Sequence, residues 1–226
     1  MSTESGKPEW KHSESPAIEQ LKKLGYEYKS QKELHAERES RYDVLLPKRF
    51  KTAIRKINKP WLSEDDAQEV LRQLRIFNTN SPLEANEIAY ARLVGISRGN
   101  LKPITIEHDR GDGRRPYTIK LIDFDNISNN DFLVTNQFKL LGHKDDIFPD
   151  VVLFVNGIPL VVIECKSPEI SHPISEAINN NLKRYQMRNT GFEQLFYFNQ
   201  ILVACCGTKA KYAPTFADAH HYMDWK

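Results

Sequence analysis

The stretch PDVVLFVNGIPLVVIECKSP, Pro149 to Pro168, is apolar almost throughout, yet it opens on Asp150 and closes on Glu164 and Lys166. Side chains alternate across a strand, so Glu164 and Lys166 share one face and Cys165 takes the other. Asn156-Gly157, between two apolar runs, is the strongest short hairpin signal in the chain. A turn there folds the start of the first strand beside the end of the second, which brings Asp150 within diagonal reach of Glu164. Pro159 cannot donate a ladder hydrogen bond, and this leaves the register open. Two carboxylates so close are costly unless a cation screens them. Lys166 supplies part of that charge. A hard divalent ion such as Mg²⁺, which takes one or two carboxylates plus waters, supplies more. Such a group can polarise a phosphodiester, activate water and neutralise a leaving oxygen. Lys166 would orient or deprotonate the water, or stabilise the developing charge. The competing reading is a salt-bridged strand end, since Asp…Glu-x-Lys at loose spacing recurs by chance.

The elements around this hairpin follow from periodicity and punctuation. SPAIEQLKKLGYEY reads as a helix capped by Ser13 or Ser15, with Pro16 in its first turn, Gly25 at its stop and Ile18, Leu21 and Leu24 as the inward stripe. SEDDAQEVLRQLRIF, capped by Ser63, and SPLEANEIAYARLVG, closed by Gly95, are two more. PYTIKLIDF and DFLVTNQFKLL are strand candidates, HDRGDGRRP is an exposed turn-rich loop, SEAINNNLKRYQMRN is helical, and QILVACCGT is one more buried strand. Runs apolar on both faces belong at the centre of a sheet. The outline is an α/β or α+β sandwich, helical first and hairpin-rich later.

With 226 residues, 40% hydrophobic and 27% charged, the chain has the composition of an ordinary globular protein, expected to be cytoplasmic. Its apolar runs are too short for a bilayer span, and its polar start, expected to fray over residues 1–12, has no secretory pattern. Cys165, Cys205 and Cys206 make an odd count in apolar runs, the pattern of buried thiols rather than of a disulfide framework or zinc site. A net charge of +2 leaves nucleic-acid binding to local patches. One is Lys48, Arg49, Lys51, Arg55, Lys56 and Lys59, either a phosphate-contacting surface or a solvated helix face. His12, His220 and His221 lie near the ends, and His143, Asp145 and Asp146 read as loop residues with a smaller prospect of reaching a metal.

Pro149-Asp150 with Glu164-Cys165-Lys166 resembles the two halves of the PD-(D/E)xK nuclease core. With NNDFLVTNQF before the hairpin, FVNGIPLVVIECKSP within it, SESPAIEQLKKLGYEY early and GTKAKY…W late, the chain resembles the N-terminal domain of the R (HsdR) subunit of type I restriction–modification enzymes. The resemblance is weakest between about Val44 and Tyr117. It implies an α/β fold: a restriction-endonuclease-like core, a central mixed sheet flanked by helices, and a helical insertion over 44–100, all in one domain of residues 1–226. It implies that Asp150 and Glu164 hold Mg²⁺ (Mn²⁺ can substitute) with the Cys165 carbonyl, that Lys166 is the catalytic lysine, and that an acid on the first helix, Glu14 with Glu19 as fallback, joins them. Glu14 can equally be a helix N-terminal acid favoured by the dipole. The family's Gln-x-x-x-Tyr motif corresponds to Asn181 and Tyr185, with a shorter amide, and Lys183 and Arg184 beside them are candidate DNA contacts, equally readable as solvated charges. The implied function is non-specific hydrolysis of double-stranded DNA within a complex with methylation and specificity subunits. No Gly-x4-Gly-Lys-Ser/Thr loop occurs, so the family's ATP-driven motor is expected to be absent from this stretch and the chain to be an isolated nuclease domain. The alternatives are a stand-alone resolvase- or repair-type nuclease and a non-catalytic docking module.

Overall fold

A computed structural model describes residues 8–109, 111, 113–142 and 144–226. His143 lies outside the described residues. The strands are β1 (Glu27–Lys29), β2 (Thr105–Asp109), β3 (Arg114–Thr118), β4 (Phe132–Asn136), β5 (Val151–Val155), β6 (Ile158–Cys165), β7 (Ile201–Cys206), β8 (Lys209–Pro214) and β9 (Met223–Asp224). The helices are α1 (8–23), α2 (Gln31–His35), α3 (Pro47–Ile57), α4 (Glu64–Leu74), α5 (Pro82–Val94), α6 (173–185) and α7 (Glu193–Phe198).

Seven strands form one mixed sheet in the order β1-β4-β5-β6-β7-β8-β9, parallel at β1/β4 and β6/β7 and antiparallel elsewhere. This is the expected α/β architecture of a PD-(D/E)xK-like core. β5 and β6 lie centrally, as strands apolar on both faces must. Val152, Phe154 and Val162 pack on one face with Phe50, Ile54 and Leu71 from α3 and α4 and with α6 and α7. Val151, Leu153, Ile163 and Cys165 pack on the other with Ile18 of α1. In the 44–100 segment the Ser63 cap and the Gly95 stop are as expected, and Ser81 adds a cap that the sequence reading did not name. Ser63 and Asp66 form a capping box, Ser81 accepts from the Glu84 amide, and Gly95 closes α5 at φ 68°. They bury their apolar faces in the same core as the sheet.

Several expectations change. PYTIKLIDF stays a strand only to Thr118, because the Asn58 side chain takes over both backbone groups of Lys120, at 2.9 and 3.0 Å. β3 pairs with β2 in a separate two-stranded sheet, so much of HDRGDGRRP is hairpin rather than loop. The Asp109 carboxylate ties its tip by accepting from the Gly111 and Gly113 amides. Residues 8–12 are helical rather than frayed, and 1–7 lie outside the described residues. Ser13 lies inside α1 and Leu24 is 76% exposed beyond its end, so neither does what its spacing implied. β1, α2 and α7 are too short to show a period.

Candidate active site

The β5–β6 turn is the expected two-residue one, with Asn156 and Gly157 at φ 53° and 73°. The irregularity that Pro159 demanded sits one step later. Leu153 pairs with Val161 and Phe154 with Pro159, so Leu160 is an extra residue on β6. Without that bulge Asp150 would fall opposite Ile163, but with it Val151 pairs with Ile163. One position further along, Asp150 falls opposite Glu164. Residues directly opposite in an antiparallel pair share a face, so the bulge turns a diagonal relation into a direct one.

Both carboxylates are buried, Asp150 at 8% exposure and Glu164 at 1%. Asp150 accepts from the Cys165 amide at 2.8 Å through one oxygen and from the Gln137 side chain at 2.9 Å through the other. Glu164 Oε1 accepts from Lys166 Nζ at 2.8 Å, whereas buried Oε2 has no partner. Lys166 Nζ also reaches the Cys165 carbonyl and Glu9 Oε1, both at 3.2 Å.

α1 brings two acids to this strand end. Residues Trp10–Glu14 are wound as a π-helical segment, and α6 contains a second over Ala177–Leu182. Such segments are frequent at functional sites, and here they carry Glu14 and Asn181. Ser13 clips α1 down: its hydroxyl donates to the Lys166 carbonyl at 2.7 Å and accepts from the Gly207 amide at 2.9 Å, bridging the ends of β6 and β7. Glu14, 4% exposed, accepts from Asn136 at 3.0 Å and from Gln137 at 3.3 Å. Gln137 thereby links Glu14 to Asp150, on a backbone at φ 49° that non-glycine residues seldom adopt. Glu14 is thus an interior acid of the site rather than a dipole-favoured helix end. Glu19 is exposed and pairs with Lys22, so the fallback residue takes no part.

The electrostatics follow from crowding. Burial first, then the Asp150 charge, pushes the Glu164 carboxyl well up, and Lys166 compensates only in part. Burial likewise raises Asp150, against the pull of the Cys165 amide and Lys166. Burial alone would lower Lys166, but Glu164, Asp150 and Glu9 together outweigh it and hold the ammonium above its ordinary range. Several acids thus surround one ammonium in a dry strand end, and the group has room for more positive charge.

The suggested DNA contacts divide. Tyr185 is buried, and its hydroxyl accepts from Asn181 at 3.2 Å and reaches the Phe148 carbonyl at 3.5 Å. It therefore positions Asn181 and offers no surface to a duplex. Lys183 is exposed and Arg184 half-buried, its guanidinium 5.4 Å from the Tyr185 ring centre, with no ion pair for either among the described residues. Of the basic run, four side chains are taken up in structural pairing, while Lys48 and Lys59 are exposed with no ion pair among the described residues. Arg49 binds Glu27, Glu37 and Asp131, Lys51 and Arg55 share Glu64, and Lys56 donates to the Ser128 carbonyl. α3 also packs at the Gly157 end of the hairpin. At about 3.3 Å per residue that end lies roughly 23 Å from Glu164. Asp146 pairs with Lys139, and Asp145 is exposed. Sequence reading missed Glu9, Ser13, Asn136 and Gln137. A polar Asn-Gln pair closing an apolar strand was the available signal for the last two, whereas the π-helical winding that aims Glu9 had none.

A bulged central hairpin with Asp, Glu and Lys at one strand end of a mixed sheet is the architecture of a PD-(D/E)xK-like core. The chain belongs to the family described as type I restriction enzyme R protein N terminus, which matches residues 9–221. It is 34% identical over 219 residues to a Methanocaldococcus jannaschii protein provisionally named the type I restriction enzyme MjaIXP endonuclease subunit, covering 94% of this chain and 20% of that protein. It is 27% identical over 220 residues to the type I restriction enzyme HindI endonuclease subunit of Haemophilus influenzae, again covering 94% and 20%. A shorter match, 36% over 102 residues, joins it to the EcoprrI endonuclease subunit of Escherichia coli, covering 45% of this chain and 31% of that one. The chain thus spans about a fifth of the length of the first two relatives. No helix among the described residues is long and apolar enough to cross a membrane.

Proposed function

We propose that this domain is the Mg²⁺-dependent endonuclease module of a type I restriction–modification enzyme, hydrolysing phosphodiester bonds of double-stranded DNA without reading sequence. The observation that supports this best is Glu164, whose buried Oε2 has no partner among the described residues while its other oxygen binds the Lys166 ammonium. A hard cation satisfies both the oxygen and the charge surplus. Asp150, Glu164 and the Cys165 carbonyl would hold it, with Glu14 one amide behind, across Gln137. When bound, the ion supplies Lewis-acid polarisation of the phosphodiester and a more acidic water; Mn²⁺ is expected to substitute.

Lys166, whose Nζ bonds Glu164 and Glu9, is placed to stabilise charge on the phosphoryl oxygens and to orient or deprotonate the nucleophile. Asn181 is held by Tyr185, and Lys183 and Arg184 on the same helix offer phosphate contacts, which carry affinity without sequence information. In the proposed complex, sequence choice falls to the methylation and specificity subunits, and ATP-driven translocation to other parts of the machine. The expected place of action is the cytoplasm, where its DNA is.

Calorimetric titration of Mn²⁺ into wild type and Asp150→Ala, followed by nicking of supercoiled plasmid, tests this reading. Binding and nicking are expected in wild type, and both are lost in the variant. Binding without nicking would mean a competent site that needs the rest of the complex. Absence of binding in wild type would overturn the metal site and favour a docking module. Cleavage confined to branched or nicked DNA would favour a repair-type nuclease.

A further inference from the structure

The turn after β8 carries Asp218, His220 and His221, and one donor atom from each lies within 4.8 Å of the others. All three are exposed, and none of the three side chains bonds or pairs with a described residue outside the group. Asp218 stands at the N-cap of the short helical turn Ala219–His221, where a carboxylate ordinarily accepts from the turn's own amides, yet it makes no such bond. It sits beside the imidazoles instead. The two rings lie 3.9 Å apart between centres, at 43°.

The frame under them is tied down. The His221 amide donates to the Asp218 carbonyl at 2.9 Å, and the Ala217 amide donates to the Pro214 carbonyl at 3.2 Å. The Phe216 amide donates to Gln186 at 2.7 Å, and Tyr222 is buried just after the turn. Gln186 follows α6, and a cavity of about 180 Å³ between turn and helix is lined by Lys183, Gln186, Met187, Asp218 and Ala219 among others.

We propose that Asp218, His220 and His221 bind a transition-metal dication of the Zn²⁺ type, at a site separate from the carboxylate cluster of β5 and β6. Two imidazole nitrogens with one carboxylate oxygen are a donor set for Zn²⁺, Co²⁺ or Ni²⁺. Mg²⁺ selects oxygen ligands, so the two sites discriminate by chemistry. Three protein ligands on the surface leave at least one position for water or an outside donor. Because the turn is bonded to the end of α6, the ion would stiffen the edge of the domain next to Lys183.

The test uses Zn²⁺ itself. It is titrated calorimetrically into Asp150→Ala, which lacks the central ligand of the other cluster, and into the same protein with His220→Ala and His221→Ala added. The same histidine pair is removed from otherwise wild-type protein in excess Mg²⁺, in case Asp150→Ala folds poorly. The histidines are exposed, so their loss should leave the fold intact by circular dichroism. Expected are one Zn²⁺ per chain when both histidines are present, loss of that binding without them, and visible Co²⁺ bands that vanish with the same substitutions. Zn²⁺ binding unchanged by the histidine substitutions would overturn the proposal, and so would no Zn²⁺ binding in any of the proteins. Neither result depends on whether the β5–β6 cluster binds Mg²⁺.

Discussion

In the proposed chemistry Glu164 carries charge where water reaches it least. A buried carboxylate whose protonation is favoured this strongly destabilises the folded state whenever it is ionised. Glu164→Gln keeps the shape and an acceptor for Lys166 while removing the charge. The metal-free variant should therefore melt higher than wild type at neutral pH, by about 1 kcal/mol in calorimetry, while Mn²⁺ binding and nicking disappear. A lower melting temperature would show that the Lys166 pairing outweighs desolvation. Lys166→Met separates holding from reacting. Mn²⁺ titration should still detect a site, because the carboxylates remain, while plasmid nicking falls about 100-fold or more, as when one charge-stabilising donor is lost. Equal loss of both would make Lys166 a structural clamp.

Among elements, the hairpin and α1 do the positioning. Gly157 sits at φ 73°, and a Cβ there would come within 2.7 Å of the Leu46 carbonyl and 2.9 Å of the Phe50 amide, both backbone atoms of the segment entering α3. Gly157→Ala should lower stability by about 1–3 kcal/mol, seen in urea melts, since neither strain nor clash can relax cheaply. Ser13 acts at the opposite end, bonding the Lys166 carbonyl and the Gly207 amide. Ser13→Ala should cost about 1 kcal/mol and weaken Mn²⁺ binding as well, because Glu9 and Glu14 ride on the helix it fastens. A pure stability loss with unchanged Mn²⁺ affinity would place both glutamates outside the metal site.

At the scale of the whole molecule, the basic α3 works as a strut. Arg49 gathers Glu27, Glu37 and Asp131, joining α3 to the β1–β4 edge of the sheet, and Lys29 adds a further contact to Glu37. Burial would raise the Glu37 carboxyl, but Arg49 and Lys29 outweigh it and hold it below the usual range. A depressed carboxyl contributes stability that is complete above its unfolded-state value and is lost as pH falls through the folded one. Arg49→Met should therefore cost about 1–2 kcal/mol at pH 7. It should also flatten the stability loss on acidification, read as urea midpoints between neutral and acid pH. The same pairing explains why Arg49, Lys51 and Arg55, with no acid near them in sequence, are held by acids that arrive from α4, β1, the segment after α2 and the loop before β4.

The residues of the proposed chemistry were legible in the chain itself. Asp150, Glu164 and Lys166 declare themselves because charge on an apolar hairpin is costly, and Asn156-Gly157 announces the turn through the positive φ it tolerates. The helix cap at Ser63, the stop at Gly95 and the central strands were equally plain, since each rests on contacts a few residues apart. What lay beyond sequence was set by long-range contacts. The Leu160 bulge decides which face Asp150 takes. Two π-helical turns decide where Glu9, Glu14 and Asn181 point. Ser13 becomes a clip only when β6 and β7 end side by side, and Tyr185 leaves the surface only when the core closes over it. Local spacing determines which groups a segment carries, but only packing determines which groups from distant segments meet, because that depends on how every element buries its apolar face at once.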